Sequence, residues 1–150
     1  MVTLKRQGFA LFEAILAVAI SSLLLVLTVP VLSRLREKLL LLGTAYQVAS
    51  VIRLARIEAI EEGMQTRVLF DIVGNSVVFR GKRGLMRHRM PDGVSLYTTN
   101  FPSHELLFFS RGTPQCGGTV VLRTKTERKY VIVAPVTGRV RLSDTPPPPM

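Results

Sequence analysis

Residues 9–32 read FALFEAILAVAISSLLLVLTVPVL, an almost unbroken apolar run relieved by Glu13, Ser21, Ser22, Thr28 and Pro30. As a helix rising 1.5 Å per residue, a run of this length spans a hydrocarbon core of about 30 Å. It exceeds the roughly 7–15 apolar residues of a secretory signal, and no small-residue cleavage site follows it. It therefore reads as an anchor that is retained. Glu13 is the exception within it. A carboxylate carried to the centre of a bilayer costs about 2.5–3.5 kcal/mol, so Glu13 calls for either a partner or a place near the wet interface.

Downstream, Pro30 lies inside the helical pattern, where it removes a backbone donor and loosens the helix locally. The pattern does not stop there. Leu32, Leu35, Leu39 and Leu42 recur at spacings of three and four, and Val48, Val51, Ile52, Ala55 and Ala59 then fall on one stripe. Uninterrupted from Phe9 to Glu62, such a helix is ~80 Å long, and its second half is expected to pack the stripe against a sheet. Ile57 and Ile60 fall off that stripe, leaving a face for neighbouring subunits. Gly63 is a natural C-terminal stop.

Beyond Gly63 the pattern changes to short β-rich runs. The expected strands are 65–72, 76–80, 94–98, 106–110, 119–124, 129–134 and 138–142. Gly74-Asn75, Pro91-Asp92-Gly93, Gly117-Gly118 and Thr137-Gly138 punctuate them. A long helix followed by a run of strands predicts an α+β fold, the helix laid across one small antiparallel sheet. The four prolines 146–149 cannot join a sheet and are expected to form a polyproline tail. At 150 residues the chain holds one small domain and an anchor, and is too short for two ordinary domains.

The residues before the apolar run sharpen the reading. Lys5-Arg6-Gln7-Gly8-Phe9-Ala10-Leu11-Phe12-Glu13 closely resembles the cleavage and methylation signal of type IV prepilins. That signal has a short basic leader, a glycine, a phenylalanine and, four residues on, a glutamate; the family commonly has Thr-Leu-Ile where this chain has Ala10-Leu11-Phe12. The resemblance implies that a prepilin peptidase cuts between Gly8 and Phe9 on the cytoplasmic side and methylates the new amine of Phe9. Phe9 and Glu13 are four apart and share a helix face. Glu13 can thus meet the N-terminal amine of a neighbouring pilin or pseudopilin subunit, each charge offsetting the burial of the other. Charge counting alone leaves the orientation open, because Lys5 and Arg6 precede the span while Arg34, Arg36 and Lys38 follow it. The cleavage signal decides it. The resemblance implies a single-pass protein of the inner membrane, its globular part outside the cytoplasm, that passes into a pilus or pseudopilus on assembly.

Further stretches resemble the GspH/FimT group of pilin-like proteins. They are Ala55-Arg56-Ile57-Glu58-Ala59-Ile60, Leu107-Phe108-Phe109-Ser110-Arg111-Gly112, Val131-Ile132-Val133 and Gly138-Arg139-Val140-Arg141. The group contains minor pseudopilins of type II secretion systems and FimT-like minor pilins. The implied organisation is a leader over 1–8, a filament-core helix over 9–32 and an amphipathic helix over 33–63. A β-rich domain over 64–145 and a tail over 146–150 complete it.

The formal net charge is +10, mostly arginine, which implies an anionic partner (nucleic acid or a membrane surface) or a solvated basic face. From Gly63 onward there are 13 Lys or Arg against 5 Asp or Glu, a surplus of 8. They cluster at Arg80, Lys82, Arg83, Arg87 and Arg89, and again at Arg123, Lys125, Arg128, Lys129, Arg139 and Arg141. On a strand, Arg139 and Arg141 share one face ~7 Å apart while Val140 and Leu142 point inward. Two guanidinium forks on one surface suit phosphate oxygens. The Gly-Arg-x-Arg pattern resembles the motif by which FimT-like pilins bind DNA in natural transformation. That resemblance makes Arg139 and Arg141 the expected DNA contacts, with Lys125, Arg128 and Lys129 beside them. A similar strand occurs in GspH-like secretion proteins, so a pseudopilin with a structural or cargo-contact role is the alternative. A membrane-anchored domain unrelated to filaments is the third. No recognition helix is visible, so any DNA binding is indifferent to sequence.

Catalysis finds no support. His88 and His104 are isolated, Cys116 is the only cysteine, and no spacing fits a metal site or an intrachain disulfide. No enzyme activity, cofactor or metal is expected.

Overall fold

The computed structural model describes residues 3–82 and 84–147, the side chains of residues 3–10, 27 and 28 excepted. The leader side chains, those at the expected cut between Gly8 and Phe9, Arg83 and the end of the proline tail thus lie outside what is described. The chain divides into two compact units, Met1–Arg36 and Glu37–Met150.

One helix, α1, covers Thr3–Glu62 and continues through Pro30. Its described residues from Leu11 include a stretch long and apolar enough to cross a membrane. That stretch is exposed along its length, as a surface meant for lipid or for other subunits must be. The helix ends where expected, and Gly63 follows at φ 63°, the left-handed conformation that glycine enters without a Cβ penalty.

Eight strands follow: β1 Thr66–Asp71, β2 Ser76–Gly81, β3 Gly84–Arg89, β4 Ser95–Thr99, β5 Glu105–Phe108, β6 Gly118–Arg123, β7 Arg128–Val133 and β8 Val140–Ser143. They form two four-stranded antiparallel sheets, β3-β2-β1-β5 and β4-β6-β7-β8, where the sequence predicted one sheet. The unpredicted strand is β3. Its sequence, Gly-Leu-Met-Arg-His-Arg, has neither β-branched residues nor apolar alternation, and nearly every position is exposed. Among the described residues, β2 is the only strand it pairs with, so the sheet edge is left open. The other edge, β5, is closed by the loop after it: Gln115 N donates to Leu107 O at 2.9 Å.

Both sheets and the helix share one core within Glu37–Met150. Val68, Phe70, Val77, Phe79, Leu106 and Phe108 enter it from the first sheet, and Leu96, Val120, Leu122, Val131, Val133 and Val140 from the second. The helix contributes Leu41, Ala45, Val48, Ala49, Ile52, Ala55 and Ala59. The predicted stripe therefore holds from Val48 onward but begins at Leu41. Leu32, Leu35 and Leu39, whose spacing marks the continuing helix, are exposed. Four of the seven helix residues are alanine, which lets the backbone approach the strands closely; Thr66 Oγ1 donates to Ala55 O at 2.8 Å across the gap. The ring of Phe108 is fully buried, and its truncation to alanine should cost about 3–5 kcal/mol.

Candidate nucleic-acid interface

Strand alternation sets the solvent face of the β4-β6-β7-β8 sheet. Leu122, Val120, Val131, Val133 and Val140 turn inward, so the residues between them turn outward. Arg123 on β6 pairs with Arg128 on β7, Val121 with Tyr130, and Tyr130 in turn with Ser143 on β8. Ile132 lies between Thr119 and Arg141.

Like charges directly opposite each other destabilise a sheet. The Arg123–Arg128 pair is relieved by Tyr97 on β4, whose ring centroid lies 4.5 Å from the Arg123 guanidinium and 5.4 Å from that of Arg128. Such contacts contribute about 0.5–1 kcal/mol at exposed sites. The guanidinium groups are thereby held in place with no carboxylate consuming their donors. Among the described residues, none of those that alternate onto this face is Asp or Glu. The nearest acids are engaged elsewhere: Glu127 binds Lys38 Nζ at 3.0 Å, and Asp144 pairs with Lys129.

Arg139 and Arg141 are both exposed and bracket the buried Val140, matching the expected alternation. The turn before them is tightly bonded. Gly138 N donates to Ala134 O at 3.0 Å, Ala134 N to Arg139 O at 3.0 Å, and Arg139 N to Thr137 Oγ1 at 3.3 Å. Gly138 is buried at φ 63°, and a Cβ there would lie 3.2 Å from Gly112 O and 3.3 Å from both Arg56 Nε and the Phe108 ring. The glycine of the Gly-Arg-x-Arg motif thus answers a packing demand, whatever the arginines touch. Beside it, Arg139 and Arg141 line a hollow of about 630 Å³ with Asn100, Thr119, Ile132 and Pro135.

The other expected contacts divide. Lys125 is exposed in the β6–β7 turn, which Thr124 closes through its N–H to Glu127 O at 2.9 Å. Arg128 lies on the face already described. Lys129 does not: it alternates with Arg128, shares the side of Val131, and is tied to Asp144. The parity of β7 thus sets it apart from Arg139 and Arg141. Tyr97 and Arg123 belong to the face although neither ranked as a contact. The spacing of Arg123 and Arg128 about one turn was the available signal. Tyr97 was hidden, because the β4–β6 register shifts between Leu96 and Thr98 and breaks simple alternation.

The first basic cluster lies on the other sheet, where Arg80 sits opposite Arg67 and the exposed Arg87 and Arg89 occupy the β3 edge. Several cations there are structural. Arg67 pairs with Glu105 at 3.3 Å, and Lys82 Nζ with Glu62 at 2.8 Å. Hydrogen bonding to Glu62, and its charge, raise the Lys82 ammonium above its ordinary value. On the helix, Arg56 Nε donates to Gly112 O at 3.0 Å and Arg53 Nη2 to Val140 O at 3.4 Å. His88 Nε2 is hydrogen bonded to Gln47 Oε1 at 3.0 Å. Glu13 is exposed on α1.

A family model, described as type II transport protein GspH, matches residues 44–138. No curated protein matches the chain. Among solved structures, the minor pseudopilin EpsH from the type 2 secretion system of Vibrio cholerae aligns with a TM-score of 0.58 at 19% identity, over 69% of this chain and 96% of that one. The type IV minor pilin FimU of Pseudomonas aeruginosa aligns with a TM-score of 0.57 at 15% identity, over 69% of this chain and 92% of that one. At these identities the likeness is one of fold.

Proposed function

The chain belongs to the GspH family of minor pseudopilins and pilins, and from that membership we propose that it is a minor pilin whose arginine face binds DNA. The family is one of structural subunits that assemble with other pilin-type subunits, and the apolar part of α1 fits membrane anchoring. In our reading, a prepilin peptidase trims the short leader on the cytoplasmic side by cutting after Gly8 and methylates Phe9, and the apolar part of α1 keeps the subunit in the inner membrane until assembly. Glu13 then receives the amine of a neighbour during assembly.

The observation that carries the DNA reading is the face that bears Arg123, Arg128, Arg139 and Arg141 beside Lys125 and, among the described residues, no Asp or Glu. Phosphate contacts made this way fix a backbone without reading bases, and their strength falls with salt as counterions are released. The test is a gel-shift titration of the fragment from Arg34 onward, which keeps the whole core of the second compact unit. Duplex DNA should be retarded at low salt and released steeply as salt rises. Replacing Arg139 and Arg141 together with alanine should weaken binding to every sequence alike. A folded fragment that shifts no DNA at low salt removes the reading.

A second reading is favoured equally by the likeness to EpsH: a minor pseudopilin serving secretion by contact with cargo or sister subunits. Transformation and secretion measured in one deletion strain separate the two, since each reading predicts loss of one and retention of the other.

A further inference from the structure

We propose that the solvent face of the β4-β6-β7-β8 sheet takes single-stranded polynucleotide in preference to duplex, an inference that rests on the nucleic-acid reading above. A duplex presents phosphates to a protein surface but keeps its base faces stacked on one another. A single strand offers both, and it rewards a surface where cations alternate with rings.

This face has that alternation. Tyr130 lies between Arg128 and Ile132 along β7, opposite Val121 on one side and Ser143 on the other. Tyr97 lies at the far side under the two guanidinium groups. Aromatic rings and guanidinium planes are the two supports on which unpaired bases stack. A row of arginines would suffice for duplex phosphates, and two tyrosines on the same open face add nothing to such contacts.

The hollow at the other end points the same way. Its volume of about 630 Å³ falls in the range of small-molecule clefts, ~300–1,000 Å³. Arg139 and Arg141 line it together with apolar Ile132 and Pro135. Phosphate alone has no use for an apolar lining. A base turned into the hollow meets Ile132 and Pro135, while its phosphate stays within reach of the arginines. The absence of side chains at Gly117 and Gly118 preserves the local packing, since a Cβ would lie 2.8 Å from Pro135 and 2.4 Å from the Phe101 ring respectively.

Fluorescence anisotropy with the fragment from Arg34 onward tests this, using labelled oligothymidine and a mixed-sequence duplex of equal length at one salt concentration. The single strand should bind about tenfold more tightly, and Tyr130→Leu should remove most of that advantage while leaving duplex affinity unchanged. The unaltered fragment supplies a second readout. The chain has no tryptophan and three tyrosines, so stacking should quench tyrosine emission on adding oligothymidine and not on adding duplex. Equal affinities, tighter duplex binding, or unquenched emission with bound oligothymidine would overturn the strand preference and leave the DNA reading standing. Failure to bind either probe would overturn both.

Discussion

Arg123 and Arg128 are direct cross-strand partners, two cations placed face to face on an open sheet with the Tyr97 ring beneath them. The repulsion between them and the attraction of each to the ring are of similar size, each below about 1 kcal/mol. Arg123→Gln and Arg128→Gln should therefore each leave the unfolding free energy within about 0.5 kcal/mol of the parent in urea titrations. DNA affinity should nevertheless fall in both, and the plot of log affinity against log salt should become shallower by about one unit per arginine.

Lys129 provides the control for that experiment. It lies on the opposite side of β7 and its ammonium is tied to Asp144. Lys129→Gln should leave the salt slope of DNA binding unchanged, whereas Arg141→Gln should reduce it. Equal effects from the two substitutions would mean that overall charge governs binding and that the face has no special part.

Gly138 and its neighbour Arg139 should respond in opposite ways. Gly138→Ala forces a left-handed backbone on a residue with a Cβ and presses that Cβ toward Gly112 O, so stability should drop by about 1–3 kcal/mol. Arg139→Ala should stay within about 0.5 kcal/mol of the parent while losing DNA affinity. Chemical denaturation and anisotropy on the same preparations read the two effects separately.

For Glu13, processing and assembly should come apart. A Glu13→Ala chain should still be trimmed to Phe9, as mass spectrometry of its N-terminus can check, yet enter filaments far less than the parent. Normal incorporation would dismiss pairing between this carboxylate and a neighbour's amine.

Much of this molecule could be read before its structure, and the failures share a cause. The end of α1 at Glu62, seven of the eight strands and the exposure of Arg139 and Arg141 about Val140 follow from local period and turn chemistry, which a sequence displays directly. Strand β3 could not be found that way, because an edge strand with nearly every residue exposed needs no apolar alternation. Leu32, Leu35 and Leu39 keep the helical period and are exposed, since such spacing marks a face without saying what covers it. Lys129 alternates off the arginine face, and Tyr97 reaches it at a bulge where simple alternation fails; both placements depend on a single residue of register. Separation into two sheets depends on pairings between distant segments, such as β1 with β5, which no local pattern contains.

The open edge at β3 carries a consequence for crowding. Subunits packed along a fibre sit at very high local concentration, where exposed strand edges tend to zip together into irreversible aggregates. Arg87 and Arg89 project from this rim, so joining two such rims would press like guanidinium groups against one another. The rim is thereby self-repelling, and adjacent heads can be set close together without fusing into a continuous sheet.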